Sequence, residues 1–256
     1  MRVCVRLVVV LAIVLALLPF AMGNGSAQMA DWMPAREGAG RLERKGPDVV
    51  LHLAGTPEEL GRQHGRLLRG SIRTMIRRYV RPALEGDHGR RLLAGVNVMR
   101  GALPKEYLAE LDACAEAAGV DKDALLIAQC LGDLESAIIG MPLGPNHACS
   151  SYVAFGPATA DGSLQCGRNF DYFLADGVST ALVTYFRPAR GQGYAFAAVG
   201  MPGLLGGWTL VNERGLVVAN HLGGGVKSRL DAIPTLILTR LIAQHAGTVE
   251  EAVRMI

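Results

Sequence analysis

The sequence predicts an α+β fold, a helix-rich half followed by a strand-rich half. From residue 56 to residue 138, apolar residues recur at helical spacing between recognisable caps. From residue 150 to residue 222, short alternating runs are separated by Gly-containing turns. The chain has 256 residues, half of them hydrophobic and 19% charged, enough for one large domain or two small ones with a sizeable core. This composition excludes a disordered chain, and 32 glycines without a triplet period exclude collagen.

The first segment stands apart. Arg2 and Arg6 precede an unbroken apolar run from Leu7 to Met22, and small residues follow at Gly23, Gly25, Ser26 and Ala27. This is the layout of a secretory signal. The run contains Pro19 and is shorter than the ~20 residues that span a bilayer. Cleavage is expected after Ala27, giving a secreted or periplasmic protein with no stable membrane insertion. The absence of a Cys near that site argues against a lipoprotein. The whole chain carries +3. The first 27 residues hold two of those positives and no acid, which leaves the remainder at +1. Nearly neutral, it gives no support to nucleic-acid binding.

Residues 28–48 read as a loose, Gly-rich leader. Val49 to Ala54 is a short strand. Thr56-Pro57-Glu58-Glu59 combines an N-cap Thr, a Pro at the first helical position and a Glu that closes a capping box. That helix is expected to run to about Val80, where Arg81-Pro82 ends it. Arg66, Arg69, Arg73 and Arg77 share one of its faces, with Arg78 beside them. Their spacing is compatible with a phosphate patch, but a solvated helix face is the better reading. Pro104 to Ala118 is helical with Gly119 as its stop. Asp121 caps a third helix over Lys122 to Ile138. These helices make residues 49–148 a helical region.

A loop with two prolines and two glycines, Gly140 to Asn146, marks the change of texture. Strands are expected at Ser150 to Phe155 and Leu164 to Tyr172, joined by Ala160-Asp161-Gly162. Ala181 to Phe186 and Tyr194 to Val199 form a second hairpin across Arg190 to Gly193. Trp208 to Val211 and Leu216 to Leu222 form a third across Asn212 to Gly215. Helix returns at Pro234 to His245, and Thr248 to Glu251 is a second capping box. The chain stops about two turns later, which suggests a fragment or a product that has lost its C-terminal part.

Once Cys4 leaves with the signal, Cys114, Cys130, Cys149 and Cys166 remain. Export permits disulfides, and four cysteines allow three pairings that spacing does not resolve. Cys114 and Cys130 lie in apolar helical stretches and read as core. No metal-type spacing occurs, and neither a metal nor an organic cofactor is expected.

Cys149 differs from the others. It follows the Pro/Gly loop and begins the strand-rich half. Papain-like enzymes place their nucleophile on a helix, with a local signature that is missing here. A Cys at a loop-to-strand junction suits a design in which the preceding peptide bond is cut. The new α-amine, with a pKa near ~8, then serves as general base to the adjacent thiol. No histidine is required.

Two segments, Ala148-Cys149-Ser150-Ser151-Tyr152 and Gly167-Arg168-Asn169-Phe170-Asp171-Tyr172-Phe173, resemble the N-terminal-nucleophile (Ntn) hydrolases. They are most similar to the acyl-coenzyme A:6-aminopenicillanic acid acyltransferase family, also called peptidase family C45. Bile-salt hydrolases and acid ceramidases are more distant. Gly55 to Gly65 is similar to the opening of that family's precursor region, and Val211 to Leu216 resembles the strand-turn-strand before its oxyanion residue.

The resemblance implies a four-layer αββα sandwich, incomplete at the C-terminus here. It also implies self-cleavage between Ala148 and Cys149, giving an α-chain from the helical precursor region and a β-chain over 149–256. Ala stands where relatives often have Gly before the nucleophile. Cys149 is the candidate nucleophile. Arg168 is placed near the thiol, favouring thiolate and holding an acyl carboxylate or carbonyl. Asp171 orients the new α-ammonium. Arg168 and Asp171 are three apart, so a regular strand points them to opposite faces, and a bend or bulge near Asn169 is required. The Asn220 amide is the candidate oxyanion donor, and His221 competes for the role. His147 reads as a loop histidine without a role.

The implied activity is an autoproteolytic amidohydrolase or acyltransferase acting on small N-acylated amines or amino acids. Alternatives are a lipid amidase of the bile-salt-hydrolase or ceramidase kind, and an inactive relative that only binds.

Overall fold

The structure, a computed structural model, describes residues 33–45, 48–139, 148–171, 182–221 and 229–256. The expected signal over 1–27, the loop at 140–146 with His147, and Tyr172 and Phe173 lie outside the described residues.

The stretch expected to be a loose leader instead carries two strands, β1 (Ala35–Glu37) and β2 (Gly40–Lys45). In β2, Gly40 and Leu42 are buried while Arg41 is exposed, and Leu42 pairs with Leu51 of β3 (Asp48–Gly55). That one leucine and its ladder seat an otherwise polar segment on the sheet.

Helix α1 (Pro57–Leu67) begins with both halves of the expected capping box: Glu59 N donates to Thr56 Oγ1 at 3.4 Å, and Thr56 N donates to Glu59 Oε2 at 2.8 Å. The expected single helix to Val80 is broken. Leu68 has φ −118° and ψ 25°, and α2 (Arg69–Met75) follows it. A π-helical turn at Ile76–Val80 and a 3₁₀ turn at Arg81–Leu84 then lead to α3 (Gly86–Arg100), which sequence periodicity did not indicate. The arginine face is solvated as expected, and Arg73 Nε donates to Ala118 O at the end of α4 (Lys105–Ala118). Gly119, at φ 67°, stops α4 in the left-handed region. Asp121 Oδ1 accepts from Ala124 N at 2.9 Å and caps α5 (Lys122–Ile139).

Strands β4 (Ala148–Gly156) and β5 (Gly162–Asp171) form a separate hairpin. The other strands are β6 (Leu182–Pro188), β7 (Phe196–Gly200), β8 (Thr209–Asn212) and β9 (Val217–Ala219), followed by α6 (Thr235–His245) and α7 (Val249–Arg254). The main sheet has the order β1-β2-β3-β6-β7-β8-β9. It is mixed, because β3 and β6 run parallel and every other neighbour is antiparallel. The parallel pair joins segments separated by the whole helical region, so the chain crosses over between them.

One face of this sheet packs against helices. Leu51, Leu53, Leu182, Phe186, Phe196 and Leu210 share a buried core with α1, α4, α5 and α6. Helix α1 meets α4 at backbone distance. A Cβ on Gly61 would lie 2.0 Å from Glu110 O, and one on Gly65 would lie 2.4 Å from Cys114 O. The two glycines are four apart and so form one smooth stripe. On the opposite face Tyr185, Val199 and Val211 are exposed. The fold is thus α+β with a mixed sheet.

Candidate active site

The pairing between β4 and β5 runs unbroken from Ala154↔Gln165 to Ala148↔Asp171, and its irregularity falls near the turn, between Ala154 and Gly156. The bulge that sequence reasoning requires near Asn169 does not occur in this register. Cys149 stands opposite Phe170, and Ser151 opposite Arg168. Directly opposed residues share a face, as do residues two apart. Cys149, Ser151, Arg168 and Phe170 therefore line one side of the hairpin. The backbone of Asp171 pairs with Ala148, next to the thiol residue. Its side chain is not among those described.

That side of the hairpin faces the end of the main sheet. Arg168 Nη2 donates to Cys149 Sγ at 3.3 Å and also to the backbone carbonyl of Asn220, just past β9. Arg168 Nη1 donates to Thr209 Oγ1 at 2.9 Å. Thr209 pairs with Val199, on the face away from the helices. Phe170 stacks on Trp208 with centroids 4.3 Å apart, and the Arg168 guanidinium lies 5.0 Å from the Phe170 ring centre. A planar fork serving three acceptors while resting on an aromatic ring is a geometry that lysine does not reproduce.

Of the four candidate residues, the structure brings Cys149, Arg168 and the backbone of Asn220 together. The amide oxygen of Asn220 is buried and has no hydrogen-bond partner among the described residues, as is also true of Arg168 Nε. His221 is exposed, and its Nε2 lies 2.7 Å from Ser151 Oγ. Sequence reasoning passed over Ser151, although strand alternation puts it on the face of Cys149. Thr209 carried no sequence signal.

The strand that presents Thr209 is braced from beneath. The β7–β8 connection at 201–207 is wholly buried, so its backbone polar groups need internal partners. His64 Nε2 accepts from Gly203 N at 3.1 Å. Gln129 donates to Gly203 O at 2.9 Å and accepts from Leu205 N at 3.0 Å. Arg240 donates to Leu205 O and forms a two-pronged pair with Glu110, at 2.9 and 2.6 Å. Burial raises the Glu110 carboxyl above its ordinary range, against the pull of Arg240. Burial, with the Arg240 charge nearby, pushes His64 down to about 3, so it is neutral in the fold. Leu204 and Leu205 in this connection belong to the core.

The four described cysteines are free. Cys114 and Cys130 are core residues as expected, and burial pushes both thiols up, out of the range of physiological ionisation. Cys149 is half-buried and Cys166 exposed.

Residues 158–256 match the model of the family described as acyl-coenzyme A:6-aminopenicillanic acid acyl-transferase. The family resemblance read from the sequence is borne out over this span, which holds Arg168, Asp171 and Asn220 and begins after Cys149. A protein of Archaeoglobus fulgidus, described as uncharacterized, is 26% identical over 231 residues, covering 81% of this chain and 38% of its own length. The chain therefore spans well under half of that relative.

Proposed function

From the acyl-transferase family match over residues 158–256, we propose that the protein is a self-cleaving cysteine Ntn amidohydrolase or acyltransferase. Its substrates are small N-acylated amines or amino acids. The observation that carries this reading is the contact of Arg168 Nη2 with Cys149 Sγ at 3.3 Å, on a thiol at the start of a strand.

The chemistry runs as follows. The intact chain cuts itself before Cys149, and the freed α-amine becomes the general base for the neighbouring thiol. The sulfur attacks the substrate amide while Arg168 stabilises its negative charge. The Arg168 Nε–H, buried and unpaired among the described residues, is available to a substrate carboxylate or carbonyl. The Asn220 amide and backbone N–H groups hold the oxyanion, a role worth about 3–4 kcal/mol per donor. Asp171 orients the α-ammonium, which protonates the leaving nitrogen. Water, or a second amine or thiol, then takes the acyl group. In this reading the β4–β5 hairpin belongs to the second sheet of an αββα sandwich, and residues 1–27 direct export.

The test is a panel of N-acyl amino acids and acyl thioesters incubated with the purified protein. Amine or thiol release, together with an acyl mass increment on Cys149, is expected. Both vanish in Cys149→Ala. Turnover that survives this substitution would refute the assignment.

A further inference from the structure

Self-cleavage needs a base that turnover does not. Before the cut, the nitrogen of Cys149 belongs to the Ala148–Cys149 peptide bond and accepts no proton. The α-amine exists only afterwards. Another group must therefore take the thiol proton in the intact chain.

The described residues around the thiol offer one arrangement that can do so. Ser151 lies two residues along β4 from Cys149, on the same face, a strand rise of about 6–7 Å. Side chains leaning toward each other from that backbone spacing leave room for one water to bridge sulfur and hydroxyl. Ser151 Oγ is 2.7 Å from His221 Nε2. Arg168, the neighbouring cation, cannot act as a base. It is held by Thr209 and the Asn220 carbonyl, with the same Nη2 reaching Cys149.

Resting on the self-cleavage reading above, we propose that Ser151 and His221 form the proton relay of the precursor. The thiol proton passes through a bridging water to Ser151 Oγ as the Ser151 proton passes to His221 Nε2. The Cys149 sulfur bonds to the Ala148 carbonyl carbon. As the C–N bond breaks, the proton returns from the imidazolium through Ser151 to the departing nitrogen. The product is a thioester at Ala148 and a free α-amine on Cys149, with no net change of charge or composition. Water then hydrolyses the thioester, leaving the Ala148 carboxylate and the free thiol. The relay explains a histidine beside the site of an enzyme whose later base is its own N-terminus. It also assigns to Ser151 a role distinct from that of the nucleophile.

Both side chains are exposed, so their substitution leaves the core intact. The experiment follows appearance of the fragment that begins at Cys149, by intact mass, in the full chain and its variants. His221→Gln keeps a hydrogen-bonding group beside Ser151 but has no titratable nitrogen. It is expected to slow cleavage by about 10²–10⁴-fold, the usual range for losing a general base. Ser151→Ala slows it comparably, while Ser151→Thr retains the hydroxyl and stays within a few-fold of the wild type. Added imidazole restores cleavage of His221→Ala, which a purely structural role would not allow. Wild-type rates in both His221→Gln and Ser151→Ala would overturn the relay and leave self-cleavage standing. An uncut wild-type chain would overturn self-cleavage, and the relay with it.

Discussion

Arg168 reaches Cys149 from across the β4–β5 hairpin, with Nη2 3.3 Å from the sulfur, while Nη1 binds Thr209 of the main sheet at 2.9 Å. One guanidinium thus ties the Cys149 thiol to the sheet on which the hairpin rests. The contact arises because Ser151, not Cys149, is the register partner of Arg168, so the side chain runs diagonally to the sulfur.

Removing this cation should slow reaction at Cys149 selectively. In Arg168→Gln the developing negative charge on sulfur loses its partner, and alkylation by iodoacetamide is expected to fall about tenfold. Cys166, exposed on the same hairpin, is an internal reference. Peptide mapping of the Cys149 to Cys166 labelling ratio reads the effect, and an unchanged ratio would contradict it.

The Arg240–Glu110 pair is buried at both ends, with 3% and 2% of the side chains exposed. Glu110→Ala leaves the guanidinium without its carboxylate, and Arg240 also braces the Leu205 carbonyl. A loss of about 3–5 kcal/mol is expected in urea denaturation, because an uncompensated charge stays buried. Replacing both partners with Met should cost clearly less than either alanine variant.

His64 makes stability depend on pH. Its folded-state pKa, about 3, lies below the ordinary histidine value of 6.5, so the unfolded chain binds the proton between those limits. Stability from this group is full above about pH 6.5 and is lost as pH falls. Between pH 7 and pH 5 the loss is about 2 kcal/mol, at about 1.4 kcal/mol per pH unit. His64→Gln, which can still accept from Gly203 N, should flatten that part of the denaturation profile. An unchanged slope would count against a neutral buried imidazole.

The α1–α4 contact predicts opposite outcomes for two alanines. Gly61→Ala drives a methyl against Glu110 O at 2.0 Å and should cost at least about 2 kcal/mol. Gly132→Ala in α5 meets nothing within 4 Å and should stabilise by up to about 1 kcal/mol. Thermal melts of the two variants separate these effects.

Local signals were legible and long-range ones were not. The capping box at Thr56, the Gly119 stop, the Asp121 cap and the turns of the β6–β7 and β8–β9 hairpins each depend on a few neighbouring residues. Helix α3 escaped because Gly86, Gly89 and Gly95 dilute its apolar pattern. Strands β1 and β2 escaped because a single leucine anchors them. The parallel pairing of β3 with β6 and the Glu110–Arg240 pair join residues more than 100 apart, beyond any local pattern. At the site, the motif around Arg168 pointed to Cys149, but the carbonyl of Asn220 and the hydroxyl of Thr209 enter only through packing. Strand alternation alone puts Ser151 on the face of Cys149, two residues along β4.

On the proposed function, Cys149 becomes the first residue of a new chain. Intact-mass measurement of the purified protein, with sequencing of the smaller fragment, tests it most directly. Two fragments that separate at Ala148–Cys149, a free amine on Cys149, and a single uncut species in Cys149→Ala are expected. A wild-type chain that keeps its full mass across Ala148–Cys149 under native conditions, or a cut that persists in Cys149→Ala, would contradict it.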